Sequence, residues 1–593
     1  MNVFATWLLL LCQFIFSGTN ANPIQISTTL GDIVGIEESG YGVFKGIPYT
    51  EETMDGNNRF KPSTVRTSSF ANGNGTPLNA TDYGFNCVQI PEAAPQSEDC
   101  LFLNIWTPKL NNSYPHSLPV LLFIHGGSFK TGSGSSSLIT GSTFLRNKNI
   151  VYVTINYRLA GLGFLALSDL WIETNMTTTG GSNGILDAII AIKFVKQYIS
   201  DFGGNPSQIT IFGVSAGARS VNMILLSPLA KDLINNAMIE SGSLAQIGLG
   251  SKSMNDALKF TENVLNSENI ENNITLLRSL DADIVYALSW HTPLENGLIV
   301  KGEIGIPSAD GYVLNDTGLN VLNTPNISIN ANNIIIGFND MDSLMGLPYY
   351  YWRDSDNIPL VPSTENEFNI YMNEYIENQT LLNNILQYYD INDYPSFDKL
   401  TNYGYFYTKM NAESCYICTS INLAKKIIEN GNGDTNVYVY HLIGPQYPSV
   451  HINELSYVYN NSAINTIFYG GKMSWDQGLA NLMHNDWLDM TINNKVHSDW
   501  LPFDLTNEYI MDFIDGETSS ISNGYGNHRC DYWINNIGLN IMGSICVQDK
   551  TVIIPTPTQQ PTLSPTTSPI QTGSTNTAKT FISILFIFLS VIF

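Results

Sequence analysis

The chain has 593 residues and a formal charge of −25, from 52 acidic against 27 basic side chains. No Lys/Arg cluster interrupts this acidity, which argues against a nucleic-acid partner, because phosphates need a basic surface to neutralise them. A cleft in such a protein attracts cations and repels anionic substrates.

The first 21 residues are read as a removable signal peptide. "FATWLLLLCQFIFSG" is apolar but too short to hold a bilayer, and Thr19 and Ala21 occupy the small positions of a cleavage site. Cys12 leaves with this segment. Six cysteines then remain: Cys87, Cys100, Cys415, Cys418, Cys530 and Cys546. An even number in a secreted chain favours disulfides over metal ligation or free thiols. Sequons at Asn74, Asn79, Asn111, Asn175, Asn273, Asn315, Asn326, Asn378 and Asn460 fit the same route.

Residues 22–548 show no linker, repeat or charge block and are read as one domain. "LPVLLFIHGG", "NIVYVTINYRL", "SQITIFGVS", "NAMIESGS", "NNIIIGFND" and "NVYVYHLIG" are near-continuous apolar runs rich in Ile and Val. Such runs form strands buried on both faces of a mostly parallel sheet. "GILDAIIAIKFVKQYISDFG" has helical spacing and lies between two of them, making a βαβ unit. The expected fold is α/β: a large, mostly parallel twisted sheet flanked by helices, with long helical and irregular insertions around 340–435.

At "ITIFGVSAGARSV" a strand must turn abruptly into a helix. Gly213 and Gly217 keep that turn free of clashes, and Ser215 is left on a strained corner at the C-terminal edge of the sheet. A serine in this place is a candidate nucleophile if a base and oxyanion donors accompany it. "FIHGGSF" follows another strand and offers the amides of Gly126, Gly127 and Ser128, to be joined by that of Ala216. The chain order expected on this fold is Ser, then Asp or Glu, then His.

Residues 549–575 form a Pro/Thr/Ser-rich stalk that cannot bury a core. Residues 576–593 end in "FISILFIFLSVIF", and Gly573, Ser574 and Thr575 stand before the apolar run in the order of a GPI-attachment signal. A tail anchor is the alternative. Either one predicts a surface-anchored or extracellular protein, attached to membrane through its C-terminus.

Many of these stretches together resemble the type-B carboxylesterases, the α/β-hydrolase family that includes the cholinesterases. The similarity runs from about Thr28 to Ile514 through "VFKGIPYTEE", "RFKPS", "SEDCLFLNIWTP", "IHGGSF", "NYRLAGLGFLAL", "GVSAG", "IESGS", "PSADGYVL" and "DWLPF". The resemblance implies an esterase working through an acyl-enzyme on Ser215, without metal or other cofactor, on a small-molecule ester. It puts the acid at Asp342 in "GFNDMDS", with Asp340 as the alternative, and the base at His451 in "VHINEL", with Glu454 matching the family's glutamate. His441 is the nearest rival base, while His484, His497 and His528 lie in polar stretches and are read as solvated. It further implies Cys87–Cys100 and Cys418–Cys530 disulfides. Cys415 and Cys546 are then left to each other, with a Cys415–Cys418 bridge open. Arg59–Glu98 and Arg158–Asp187 are implied as structural ion pairs.

The departures bear on substrate. Val214 stands where the family usually has glutamate, and "VQIPEAAPQSED" has no aromatic where cholinesterases carry their choline-stacking tryptophan. Choline esters are therefore not expected. Val214 should make the substrate pocket beside the nucleophile more apolar, and Ile452, in the place of a glycine, should narrow the site. Ser128 replaces a glycine whose amide alone matters. The competing reading is a catalytically silent family member used for adhesion or as a bulk surface glycoprotein. Such proteins typically lack the serine, the histidine or the oxyanion glycines, and this chain has them all.

Overall fold

The computed structural model describes residues 22–537, except 71–74, 91–94, 109–116, 146–147, 246–250, 291–293, 296–297, 300–303, 345–360, 376–378, 395, 397–399, 445–447, 470–474 and 527–528. Residues 1–21, read as a signal peptide, residues 549–575 and 576–593, read as a stalk and a C-terminal anchor signal, and also His528 and Cys546, therefore lie outside the described residues.

Twelve strands form the path of the main sheet: β1 (Pro23–Thr28), β2 (Gly31–Glu38), β3 (Tyr41–Pro48), β4 (Phe102–Pro108), β5 (Leu118–Ile124), β6 (Val151–Ile155), β7 (Gly204–Val214), β8 (Asn236–Glu240), β9 (Asn333–Asn339), β10 (Asn436–Ile443), β11 (Tyr509–Ile514) and β12 (Ser520–Asn523). Their spatial order is β1-β2-β3-β4-β6-β5-β7-β8-β9-β10-β11-β12, and a short strand, Leu78–Asn79, pairs with β2. From β6 to β11 every neighbouring pair is parallel. The flanking pairs are antiparallel. Every residue of β6, β8 and β9 is buried, as expected of strands covered on both faces, whereas edge strand β1 alternates exposed and half-buried positions.

Helix α1 (Asn183–Tyr198) supplies part of the cover, with all but three of its residues buried. Gly203, at φ 81°, turns the chain back into β7, a left-handed conformation that glycine adopts without a Cβ clash. The expected insertion is indeed largely helical, including Glu365–Tyr375, Gln379–Leu386 and Asn402–Ala412.

Disulfides join Cys87 to Cys100 and Cys418 to Cys530. Cys415 is also disulfide-bonded, and because Cys418 is already committed to Cys530, the alternative Cys415–Cys418 bridge does not form. Arg158 grips Asp187 with two guanidinium nitrogens at 2.7 and 2.8 Å, deep in the core. Arg59 does the same to Glu98, at 2.6 Å for each contact.

Candidate active site

The corner at Ser215 is built by close backbone approach. β7 ends at Val214, Ser215 takes φ 58° and ψ −120°, and helix α2 (Ala216–Leu226) begins at the next residue. A Cβ on Gly217 would sit 2.1 Å from the carbonyl oxygen of Ile124, and one on Gly213 would sit 2.6 Å from Gly217's backbone. Only glycine lets the start of α2 lie against the end of β5. This packing sets Ala216 beside the loop that carries Gly126, Gly127 and Ser128. In that loop Gly127, Ser128 and Phe129 all have positive φ, at 101°, 55° and 59°. Gly127's carbonyl is drawn inward by the amides of Lys130 (3.0 Å) and Thr131 (2.9 Å).

Two further loops meet above the serine. Met341 and Val450 form an isolated parallel bridge, and His451's amide donates to the carbonyl of Leu344 at 2.7 Å. These bonds fix the loop after β9 against the loop after β10. Across them, His451 Nε2 lies 2.9 Å from Ser215 Oγ, and its Nδ1 lies 2.7 Å from Asp342 Oδ1. Asn339's amide donates to Asp342 Oδ2 at 2.9 Å, which fixes the carboxylate's orientation. The Asp342 and His451 side chains are both buried. The phenol ring of Tyr416, which no sequence signal marked, stands 4.8 Å from the imidazole, centroid to centroid.

Asp340, the alternative acid, faces elsewhere. Its Oδ1 accepts a hydrogen bond from Lys409 Nζ at 2.6 Å and lies 3.5 Å from His441 Nε2. Burial pushes its carboxyl up, but Lys409 and His441 outweigh burial and hold it well below the usual carboxylate range. His441 is thereby removed as a rival base. Burial lowers its imidazole, yet the carboxylates of Asp340 and Asp512, 3.5 and 3.4 Å away, raise it overall. His125, beside the glycines, stacks on Tyr157 at 4.3 Å, and burial pushes it down to about 4 despite a bond to the carbonyl of Gly126.

Three expectations need correction. Val214, expected to line the substrate pocket, is completely buried, side by side with Glu240 in the parallel register. Ile452, expected to narrow the site, is also fully buried, and it takes φ 62°, a strained value for a β-branched residue. His484, expected to be solvated, is buried: it packs edge-on to Phe144 and its Nδ1 bonds the carbonyl of Val458 at 2.7 Å.

Behind the triad geometry lies a polar layer that sequence reading found only in part. Glu454, in helix α3 (Glu454–Val458), receives hydrogen bonds from the Ser241 hydroxyl and the Asn339 side-chain amide. Burial raises its carboxyl well above the ordinary range, and the charges of Asp342 and Glu240 add to the rise. Glu240, at the end of β8, accepts a 2.6 Å bond from the indole of Trp487 in helix α4 (Gln477–Asn493). Among the described residues no group of His, Cys, Asp or Glu is arranged to hold a metal ion.

The arrangement can move one proton from a serine hydroxyl to an imidazole whose other nitrogen faces a carboxylate. Comparison with known proteins agrees with this chemistry. The model of the carboxylesterase family matches residues 22–533. Para-nitrobenzyl esterase of Bacillus subtilis is 37% identical over 229 residues, which cover 37% of this chain and 43% of that protein. Cholinesterase of Mus musculus is 35% identical over 259 residues, covering 40% of each. The chain thus spans about two-fifths of the length of these curated relatives. Among solved structures, the Geobacillus stearothermophilus carboxylesterase EST55 superposes with a TM-score of 0.67 at 26% identity, covering 86% of this chain and 99% of that one.

Proposed function

From the premise that the chain belongs to the carboxylesterase family, we propose that it is a serine hydrolase of uncharged carboxylic esters, secreted or held at a cell surface. The observation that carries this reading is His451 set between Ser215 Oγ and Asp342 Oδ1, at 2.9 and 2.7 Å. In the proposed cycle Ser215 Oγ attacks the ester carbonyl carbon as its proton passes to His451 Nε2. Asp342 holds the imidazole's other proton on Nδ1 and stabilises the imidazolium. The amides of Gly126, Gly127, Ser128 and Ala216 face the oxyanion. His451 then returns the proton to the departing alcohol, and water, activated by the same imidazole, hydrolyses the acyl-enzyme.

The preference for uncharged esters rests on one absence in sequence: no aromatic at 88–99 to receive a quaternary ammonium. The tests are turnover of p-nitrophenyl esters of increasing acyl length by the secreted full chain, and labelling by a fluorophosphonate, each beside Ser215→Ala. Turnover and labelling that vanish in the variant support the reading. Background rates in both proteins with no labelling would refute it in favour of a silent surface glycoprotein.

A further inference from the structure

Three carboxyl side chains are wholly buried in and behind this site: Asp342, Glu454 and Glu240. Their provision is unequal. Asp342 faces an imidazole and a backbone amide, and Glu454 has a hydroxyl and a side-chain amide. Among the described residues, Glu240 has only the Trp487 indole, on Oε1, while its Oε2 is buried without a hydrogen-bond partner. The catalytic cycle proposed above makes no use of this carboxyl.

Glu240 is nevertheless tied to the nucleophile. Its backbone carbonyl accepts the Ser215 amide at 2.9 Å, and Val214 lies beside it in the β7–β8 register. Ser215 holds a left-handed φ, which persists only where its surroundings over-determine it. The carbonyl of Glu240 is one of the bonds that does so, and Trp487, itself fully buried, clamps the side chain of the same residue. We propose that Glu240 is a positioning residue for Ser215, that it works as the neutral carboxylic acid, and that ionising it disables the nucleophile. The inference rests on the esterase reading.

The groups acting on Glu240 make the neutral form the stable one. Tyr152 reaches it from β6, Tyr440 from β10, Glu454 from α3 and Tyr459 from just beyond α3. None is a cation. Burial pushes the carboxyl up to about 8, and the Trp487 bond offsets only part of that. A carboxylate here would be a buried charge with one donor, an arrangement that folds relieve by neutralising the group or admitting water. Water admitted at the end of β8 loosens the carbonyl that holds the Ser215 amide.

The test is the shape of the kcat–pH profile, each protein normalised to its own maximum. Wild type should lose activity tenfold per pH unit above about 8, and Glu240→Gln should lack that limb. Trp487→Phe removes the bond that lowers the carboxyl's value, so its limb should move to higher pH. A Glu240→Gln profile superimposable on wild type overturns the proposal. Should that variant fail to fold, an unmoved limb in Trp487→Phe overturns it instead. Infrared difference spectra of wild type against Glu240→Gln provide a readout independent of turnover. A carboxylic-acid C=O band present at about pH 6 and lost on raising the pH supports the neutral acid, and its absence refutes it. A wild type that neither turns over esters nor labels with a fluorophosphonate at any pH marks failure of the esterase reading itself.

Discussion

Replacing Asp342 with asparagine should abolish most turnover while leaving the fold intact. One oxygen of Asp342 accepts the Asn339 amide at 2.9 Å, and the other faces His451 Nδ1 at 2.7 Å. An asparagine offers one oxygen and one NH2 in their place. Asn339's N–H is a fixed backbone donor and demands the oxygen, so the NH2 turns toward the imidazole. Nδ1 must then accept, which moves the ring's proton to Nε2, the nitrogen 2.9 Å from Ser215 Oγ. An imidazole protonated there cannot take the serine's proton. A tautomer error of this kind costs about 10⁴ in kcat in a serine triad, or about 5 kcal/mol of barrier. Asp340→Asn is the control, since that side chain bonds Lys409 and not His451. The assay is kcat and KM for a p-nitrophenyl ester, with thermal unfolding alongside. The reasoning fails if Asp342→Asn keeps more than about a tenth of wild-type kcat, a loss too small for a wrong tautomer. It fails equally if Asp340→Asn shows the larger rate loss.

The remaining predictions concern the frame. Arg158→Met leaves the Asp187 carboxylate buried and unpaired, and should cost about 3–5 kcal/mol in urea unfolding; an effect below about 1 kcal/mol would mean the site is open to solvent. Gly217→Ala puts a methyl 2.1 Å from a backbone oxygen that cannot turn aside, so it should cost about 1–3 kcal/mol. It should also lower kcat more than it raises KM, because it displaces the Ala216 amide; full activity would show that α2 can slide. His441 has a folded-state pKa raised above its unfolded value, so the stability it contributes is complete below about 6.5 and is lost as pH rises through the folded value. His441→Gln should therefore cost more stability at acid than at alkaline pH, and equal losses at both would show that the imidazole does not titrate in this range.

What the sequence revealed was what consecutive residues encode. The Ser215 corner was legible because its requirements, Gly213 and Gly217 around the serine, fall within five residues of one chain segment. The parallel sheet was legible because burial on both faces writes apolar runs. The acid was not decided by local text, since Asp340 and Asp342 share one loop. Lys409, 69 residues further on, captures the first and leaves the second to His451. His484 was misread for a similar reason: its stretch is polar, but Phe144 and the carbonyl of Val458 close over it. Glu240 lies in "IESGS", one of the stretches that carry the family resemblance, but nothing in that stretch marks its side chain as a buried carboxyl. Its burial depends on Trp487, 247 residues away in sequence.

The strained residues of the site occur where the sheet can hold them. Ser215 follows β7, Ser241 follows β8, and both have left-handed φ, at 58° and 53°. Each donates its amide sideways to the neighbouring strand: Ser215 to Glu240 at 2.9 Å, Ser241 to Gly337 at 2.9 Å, with Asp340 to Leu442 at 3.1 Å continuing the series. These lateral bonds tether the strand ends at the moment the chain turns away. The side chains released there, Ser215 toward the imidazole and Ser241 toward Glu454, inherit their positions from the sheet and not from the loops. A cost of about 1–3 kcal/mol per strained residue is thus borne by a buried scaffold of many parallel rungs. That is why the nucleophile stands within hydrogen-bond reach of its base, 2.9 Å from His451 Nε2.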